Sequence, residues 1–263
     1  MRIVYLGCTK FSEEILLHLL DQEVEIVGIF TIPEYFKINY SPELVKNTNY
    51  ADLSKYAQKM NVPHFEVNSF SGHRMSDYHN ELKKLKPDVI LTMGWYYMVD
   101  KKTRSFAKYG AWGIHASLLP NYAGGAPLVW AIIEGAKETG VTLFKLDDSV
   151  DGGDIIGQVK FEIDEDDTIK DVYSKATEAS KEILSRTLLS DNISFKPQDK
   201  SRIKVYPQRS PKDGEIDWNW EPEKIKNFIR AQSKPYPGAW TKINGKKVTI
   251  WDAKIDFDDS THN

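Results

Sequence analysis

Disulfide chemistry is closed to this chain. Cys8 is the one cysteine in 263 residues, so it can form neither an intramolecular disulfide nor a cysteine-rich zinc cage. Long apolar runs are missing as well. No segment has the length to span a bilayer, and the opening MRIVYLG has a single charge and no apolar stretch of signal-peptide length. The expected compartment is therefore the cytoplasm. Excess charge of one sign is also absent: 35 Lys and Arg face 38 Asp and Glu, a formal net charge of −3. That balance gives no overall field steering nucleic acid toward the protein. The first apolar run closes on GCTKFS, which has one glycine where a dinucleotide fingerprint needs three. A nicotinamide dehydrogenase is disfavoured on that ground. Internal repeats and low-complexity segments are lacking too.

What remains is ordinary for a soluble globular protein, with 41% hydrophobic and 28% charged residues. RIVYLG at 2–7, VEIVGIFT at 24–31 and DVILTMG at 88–94 read as strands of a buried parallel sheet. Between them, helical spacing falls at 12–22, with Ser12 as N-cap, near 51–60 after a loop holding Pro33 and Pro42, and at 76–85. A longer helical pattern occupies 167–189. This alternation predicts an α/β fold, a Rossmann-like, mostly parallel sheet followed by a small β-rich C-terminal domain. The expected boundaries are 1–190 for the catalytic domain, 191–200 for a polar connector and 201–263 for the small domain, whose acidic end reads as frayed. Ligands in such sheets sit beyond the carboxyl ends of strands, where 7–11, 94–97 and 113–115 all fall.

Two segments concentrate the chemistry: GIHASLLPNYAGGAP at 113–127 and LDDSVDGGDII at 146–156. His115 precedes a proline and small-residue turn, and Asp151 lies in a glycine-rich loop. If the fold brings them together, the pair can serve as a general base and the carboxylate that orients and charges it. Asp147, Asp148, Asp151 and Asp154 crowd one loop but lack the ligand order of a calcium loop, so no metal is expected; Asp154 reads as capping the turn. His18 and His262 read as surface histidines. Gly124 and Gly125 are either a tight loop or a place where backbone nears a ligand. Lys37, Lys46 and Lys55, interleaved with Tyr35, Phe36, Tyr40 and Tyr50, either meet a nucleotide or are solvated.

Both segments resemble the SLLP motif and D-x-G-D loop of enzymes that move a formyl group from N10-formyltetrahydrofolate to an amine. The resemblance also takes in MRIVYLGCTKFS, KPDVILTMGWYY at 86–97, YPQRSPKDGEIDW at 206–218 and FIRAQSKPYPGAW at 228–240. It implies N10-formyltetrahydrofolate as co-substrate, His115 and Asp151 as catalytic residues, and a pterin site made by Met93, Gly94, Trp95, Ser117, Leu118, Leu119, Pro120 and Asp147. The acceptor would meet Cys8, Thr9, Lys10, Tyr122 and Gly124. One position departs: the family's Asn-x-His motif begins here with Gly113, so the side-chain amide that faces the formyl oxygen is missing. Another donor is expected to substitute there, from a backbone N–H, water or the amide of Asn121.

The tail resembles enzymes that formylate nucleotide-linked amino sugars and, more distantly, methionyl-tRNA formyltransferase. The sugar is favoured and nucleic acid disfavoured because TIPEYFKINYSPE after the second strand is nearly neutral, where RNA calls for a basic insertion. The stretch 201–255 is nonetheless locally basic, with twelve Lys/Arg against six Asp/Glu. A third reading is a folate- or nucleotide-binding homologue disabled by Gly113. Membrane partners are not expected, and a homodimer is left open.

Overall fold

The computed structural model describes residues 1–22, 24–37, 43–190 and 192–256. Tyr40, Pro42, Asp191 at the head of the connector, His262 and the tail from 257 onward lie outside the described residues.

Seven strands build the central sheet: β1 (Arg2–Leu6), β2 (Glu25–Thr31), β3 (His64–Glu66), β4 (Val89–Thr92), β5 (Ala111–His115), β6 (Glu138–Lys145) and β7 (Ile155–Glu162). Their order across the sheet is β3-β2-β1-β4-β5-β6-β7. The five strands from β3 to β5 run parallel. β6 is antiparallel to β5, and β7 antiparallel to β6. The mostly parallel α/β sheet is as expected, whereas this reversed edge is not marked in the sequence. β6 is buried almost throughout, so its residues show no two-residue alternation to read.

Seven helices accompany the sheet: α1 (Lys10–Leu20), α2 (Ser54–Met60), α3 (His79–Leu85), α4 (Lys101–Arg104), α5 (Pro127–Ile133), α6 (Ile169–Leu188) and α7 (Pro222–Ala231). One sheet face packs Ile3, Tyr5, Leu91, Trp112 and Leu143 against apolar residues of α1, α5 and α6. The opposite face packs Val4, Leu6, Ile90 and Ala111 with Leu82 of α3 and with Val99 and Ala107. Strand alternation then puts Thr92, two residues after Ile90, and Gly113 and His115, two and four after Ala111, on that second face.

α1 starts earlier than its apolar spacing suggested. Thr9, not Ser12, is the N-cap, and Ser12 is the third helical residue of a reciprocal capping box. The serine is drawn inward because its Oγ also donates to the Met93 carbonyl at 2.6 Å. The C-terminal region is small and β-rich. A hairpin of β8 (Ala239–Ile243) and β9 (Lys246–Ile250) joins α7 around Ile216, Phe228, Ile229 and Ala239.

Candidate active site

The carboxyl end of β5 delivers His115, buried to 8% exposure. Its Nε2 donates to the Tyr122 carbonyl at 2.7 Å. A carbonyl only accepts, so that nitrogen carries the proton and Nδ1 keeps a free lone pair in the neutral ring. Nδ1 lies 3.5 Å from Asp151 Oδ2. The same carboxylate oxygen accepts the Gly124 N–H at 2.8 Å. The pair proposed from sequence is therefore together in space, and a proton arriving at Nδ1 meets a carboxylate.

Asp151 holds a left-handed backbone, φ 50°, an arrangement that costs energy for any side chain larger than glycine's. Two residues that sequence reasoning passed over secure it. Gln198, in the stretch after α6, donates through Nε2 to the carbonyls of Asp151 and Gly153, both at 2.7 Å. Arg104 of α4 donates to the carbonyls of Val99 and Asp147 and pairs with Asp148 at 2.5 Å. Asp147 accepts the Ser149 N–H at 2.8 Å, which turns its carboxylate into its own loop. Asp154 contributes its carbonyl, which accepts the Lys145 N–H.

The SLLP turn is a polar lattice clad in apolar side chains. Ser117 is fully buried and donates to the Asn121 carbonyl at 2.6 Å. Thr142 of β6 donates to the Ser117 carbonyl and accepts the Leu119 N–H. Gln158 of β7 closes the lattice on Thr142 and the Leu119 carbonyl. Leu119 is buried, while Leu118 and Pro120 are half-buried. Asn121 is exposed at the tip of the turn.

At the ends of β1 and β4 the chain is clamped to itself. Cys8 is fully buried with Ile32 and Phe36, which pushes its thiol up to about 12. Its side chain is core, so the expectation that it meets the acceptor is corrected. Thr9 is also buried and spends its hydroxyl on the helix cap; Lys10 is exposed. Met93 is buried, and Gly94 adopts φ 57° where a Cβ would stand 2.2 Å from Thr9 Oγ1. Trp95 is half-buried, and its indole nitrogen is buried without a hydrogen-bond partner among the described residues.

Two segments that the sequence leaves open between readings have defined contacts. The smallness of Gly124 and Gly125 is used by the protein itself: a Cβ at either would lie 2.5 Å from Tyr206 or Gln208 backbone. Tyr122 packs its ring against Tyr206, and burial together with Glu134 raises its phenol's pKa above the ordinary range. In the lysine-rich segment, Lys46 pairs with Glu34 and Lys55 with Glu13, while Phe36 is core. Outside the site, His18 bonds Ser185.

Gly113 is crowded by apolar atoms. A Cβ there would meet Leu146 Cδ2 at 3.1 Å and Phe144 Cε1 at 3.6 Å. Its register neighbours are Thr92 on β4 and Phe144 on β6. No group of three or more His, Cys, Asp and Glu suited to a metal occurs among the described residues. No helix there is long and apolar enough to cross a membrane.

Comparison with known proteins adds three kinds of likeness. The sequence profile described as formyl transferase matches residues 1–188, and that of the formyl transferase C-terminal domain matches 209–263. The bifunctional polymyxin resistance protein ArnA of Wigglesworthia glossinidia brevipalpis is 37% identical over 212 residues, 80% of this chain and 32% of that protein. The chain thus spans about a third of that larger relative's length. Methionyl-tRNA formyltransferase of Bacillus velezensis is 32% identical over 256 residues, covering 95% of this chain and 77% of that enzyme. Among solved structures, WlaRD, a sugar 3N-formyl transferase crystallised with dTDP and 5-N-formyl-THF, superposes with a TM-score of 0.67. It is 20% identical and covers 94% of this chain and 84% of its own, a likeness of fold.

Proposed function

This chain belongs to the formyl transferase family, and from that premise we propose that it moves a formyl group from N10-formyltetrahydrofolate to the amine of a nucleotide-linked amino sugar. The observation that carries the reading is the His115–Asp151 pair at the carboxyl edge of the sheet, 3.5 Å apart. The residues also fit a donor of this kind: two polar hydrogens at the end of β4, on Thr92 and Trp95, are buried without a partner. Such groups cost about 1–3 kcal/mol each when left unsatisfied, and a ligand bearing oxygen and ring-nitrogen acceptors offsets that cost.

In the reaction the acceptor nitrogen forms a bond to the formyl carbon, and the bond from that carbon to N10 breaks. The amine must lose a proton as it attacks, and N10 must regain one on leaving. His115 suits the first task because Nε2 is fixed on Tyr122, leaving Nδ1 to accept. Asp151 stabilises the imidazolium so formed. Gln198 and the Gly124 N–H hold that carboxylate in place, so its field is preorganised before substrate arrives.

A sugar acceptor is supported by the near-neutral 31–36 segment, the paired state of Lys46 and Lys55, and the likeness to WlaRD. A second reading, the aminoacyl end of a tRNA, is favoured by full-length relatives such as that of Bacillus velezensis. It is also favoured by lysines paired with tryptophans in the C-terminal region, Lys247 on Trp240 and Lys224 on Trp220. The deciding experiment offers N10-formyltetrahydrofolate with a panel of 4-amino-4,6-dideoxy sugar nucleotides, and separately with methionyl-tRNA. Turnover of a sugar, only mildly dependent on salt, supports the first reading. Turnover of tRNA alone, declining steeply with salt as counterions are released, replaces it with the second. Folate binding with no transfer to either would leave a binding protein disabled at Gly113.

A further inference from the structure

We propose that the hydroxyl of Thr92 is the hydrogen-bond donor to the formyl oxygen in this protein, taking the part left vacant by the glycine at 113. The inference rests on the formyl-transfer reading above and adds a residue to it. Three observations converge on Thr92. Its Oγ1 is buried and has no hydrogen-bond partner among the described residues, although it ends a strand whose core neighbours are well packed. Thr92 is the direct register partner of Gly113 across the β4–β5 pair. Both lie on the face that carries His115, because Ile90 and Ala111, two residues earlier on each strand, share one core cluster.

The geometry suits a substitution of one donor for another. Neighbouring strands are about 4.8 Å apart, so a hydroxyl on β4 and an amide reaching from β5 address the same space in front of the strand ends. With glycine at 113, β5 sends no side chain there, and a Cβ at that position would meet Phe144 Cε1 of β6 at 3.6 Å and Cδ2 of Leu146, the residue after β6, at 3.1 Å. Trp95 also keeps an unpartnered N–H at this end of β4, but it is not in register with Gly113.

The hydroxyl is worth little to the free protein. An unpaired buried donor destabilises, and replacing it by a methyl of the same shape is close to neutral or stabilising. Its value lies in the transition state, where the formyl oxygen gathers negative charge and a preorganised donor counts most.

The test uses the whole protein, with no acceptor present so that no transfer occurs, and an oxidatively stable N10-formyl donor, 10-formyl-5,8-dideazafolate carrying a 13C-labelled formyl group. In the wild type the formyl C=O stretch is expected at lower wavenumber than in Thr92→Val, with Thr92→Ser keeping the wild-type position. With a turned-over acceptor, Thr92→Val is expected to lower kcat by about 10²–10³-fold, the usual cost of one oxyanion donor, while KM for the folate stays within a few-fold. Its melting temperature is expected to match or exceed that of the wild type. An unshifted stretch in Thr92→Val, or a kcat within threefold of wild type, overturns the role of Thr92 and leaves formyl transfer intact. Failure of the wild type to bind the analogue would instead remove the formyl-transfer reading, and this inference with it.

Discussion

The parallel half of the sheet and its reversed edge serve the same site by different means. At the ends of β1 and β4 the backbone is locked by groups that are themselves buried: the Thr9–Ser12 cap, Ser12 on the Met93 carbonyl, and Asn47 on the Cys8 carbonyl at 2.9 Å. At the other edge, the loop between β6 and β7 carries Asp151, the carboxylate proposed to act with His115, on left-handed backbone. Gln198 and Arg104, both from other parts of the chain, hold that loop in place. The first region is a wall fixed by its own buried hydrogen bonds. The second is a tool held in a removable grip, and its loss should cost activity before stability.

That contrast is sharpest at the dyad itself. His115→Ala is expected to lower kcat by about 10²–10⁴-fold, the range of general base catalysis, with folate affinity unchanged by direct titration. A residual rate above about a hundredth of wild type would remove His115 from the mechanism. Asp151→Asn should follow at about a hundredfold, since it keeps the Gly124 contact but withdraws the charge that supports imidazolium; a rate indifferent to it would point to Asp147 or Asp154.

Gln198→Leu tests the grip. It removes two 2.7 Å bonds to the loop's backbone, at Asp151 and Gly153, and leaves the His115 and Asp151 side chains themselves unchanged. A drop of about tenfold in kcat is expected from misplacement of the carboxylate, with a melting temperature within a few degrees. A large loss of stability at full activity would make the glutamine part of the wall instead. Gly113→Asn alone should change kcat by less than about tenfold, or about 1.4 kcal/mol, because a donor is already supplied from β4. In a Thr92→Val background the same substitution should restore activity. The new Cβ would meet Leu146 Cδ2 at 3.1 Å, so that leucine must shift by a few tenths of an ångström for the rescue to appear.

The smallest effect belongs to the wall. Burial holds the Cys8 thiol at about 12 against an ordinary 9.0. The folded protein should therefore resist iodoacetamide at pH 9 and react only on unfolding. Stability should fall as pH climbs above 9 toward 12, since only the unfolded chain ionises there. Rapid labelling of native protein at pH 9 would show that the β1 end is open.

Much of this architecture can be read directly from the residues. The apolar runs at 2–7, 24–31 and 88–94 fall on β1, β2 and β4, and the SLLP and D-x-G-D segments mark where His115 and Asp151 meet. Local cues reach only so far. Ser12 looks like a cap because its role in the box is reciprocal with Thr9 three residues earlier. The reversed strand β6 hides because burial on both faces erases alternation there. Gln198 and Arg104 are ordinary polar residues whose partners lie 47 and 43 positions away, a pairing that no local pattern encodes. Thr92 is visible only as a polar residue ending an apolar strand, and its unpaired state exists only once the sheet is folded. At Gly124 the sequence shows a small residue but not what its smallness meets, which is the Tyr206 backbone of the same chain.

Formylation of an amine through the His115–Asp151 pair yields two products to follow, tetrahydrofolate and the formylated acceptor. The most direct measurement follows the spectrophotometric release of tetrahydrofolate from N10-formyltetrahydrofolate, with mass detection of the formylated amino-sugar nucleotide, for wild type beside His115→Asn. The wild type is expected to release tetrahydrofolate and formylated sugar in equal amounts, and His115→Asn to give at most about a hundredth of that rate. Equal product from both proteins, or none from the wild type with any sugar nucleotide in the panel, would contradict this expectation.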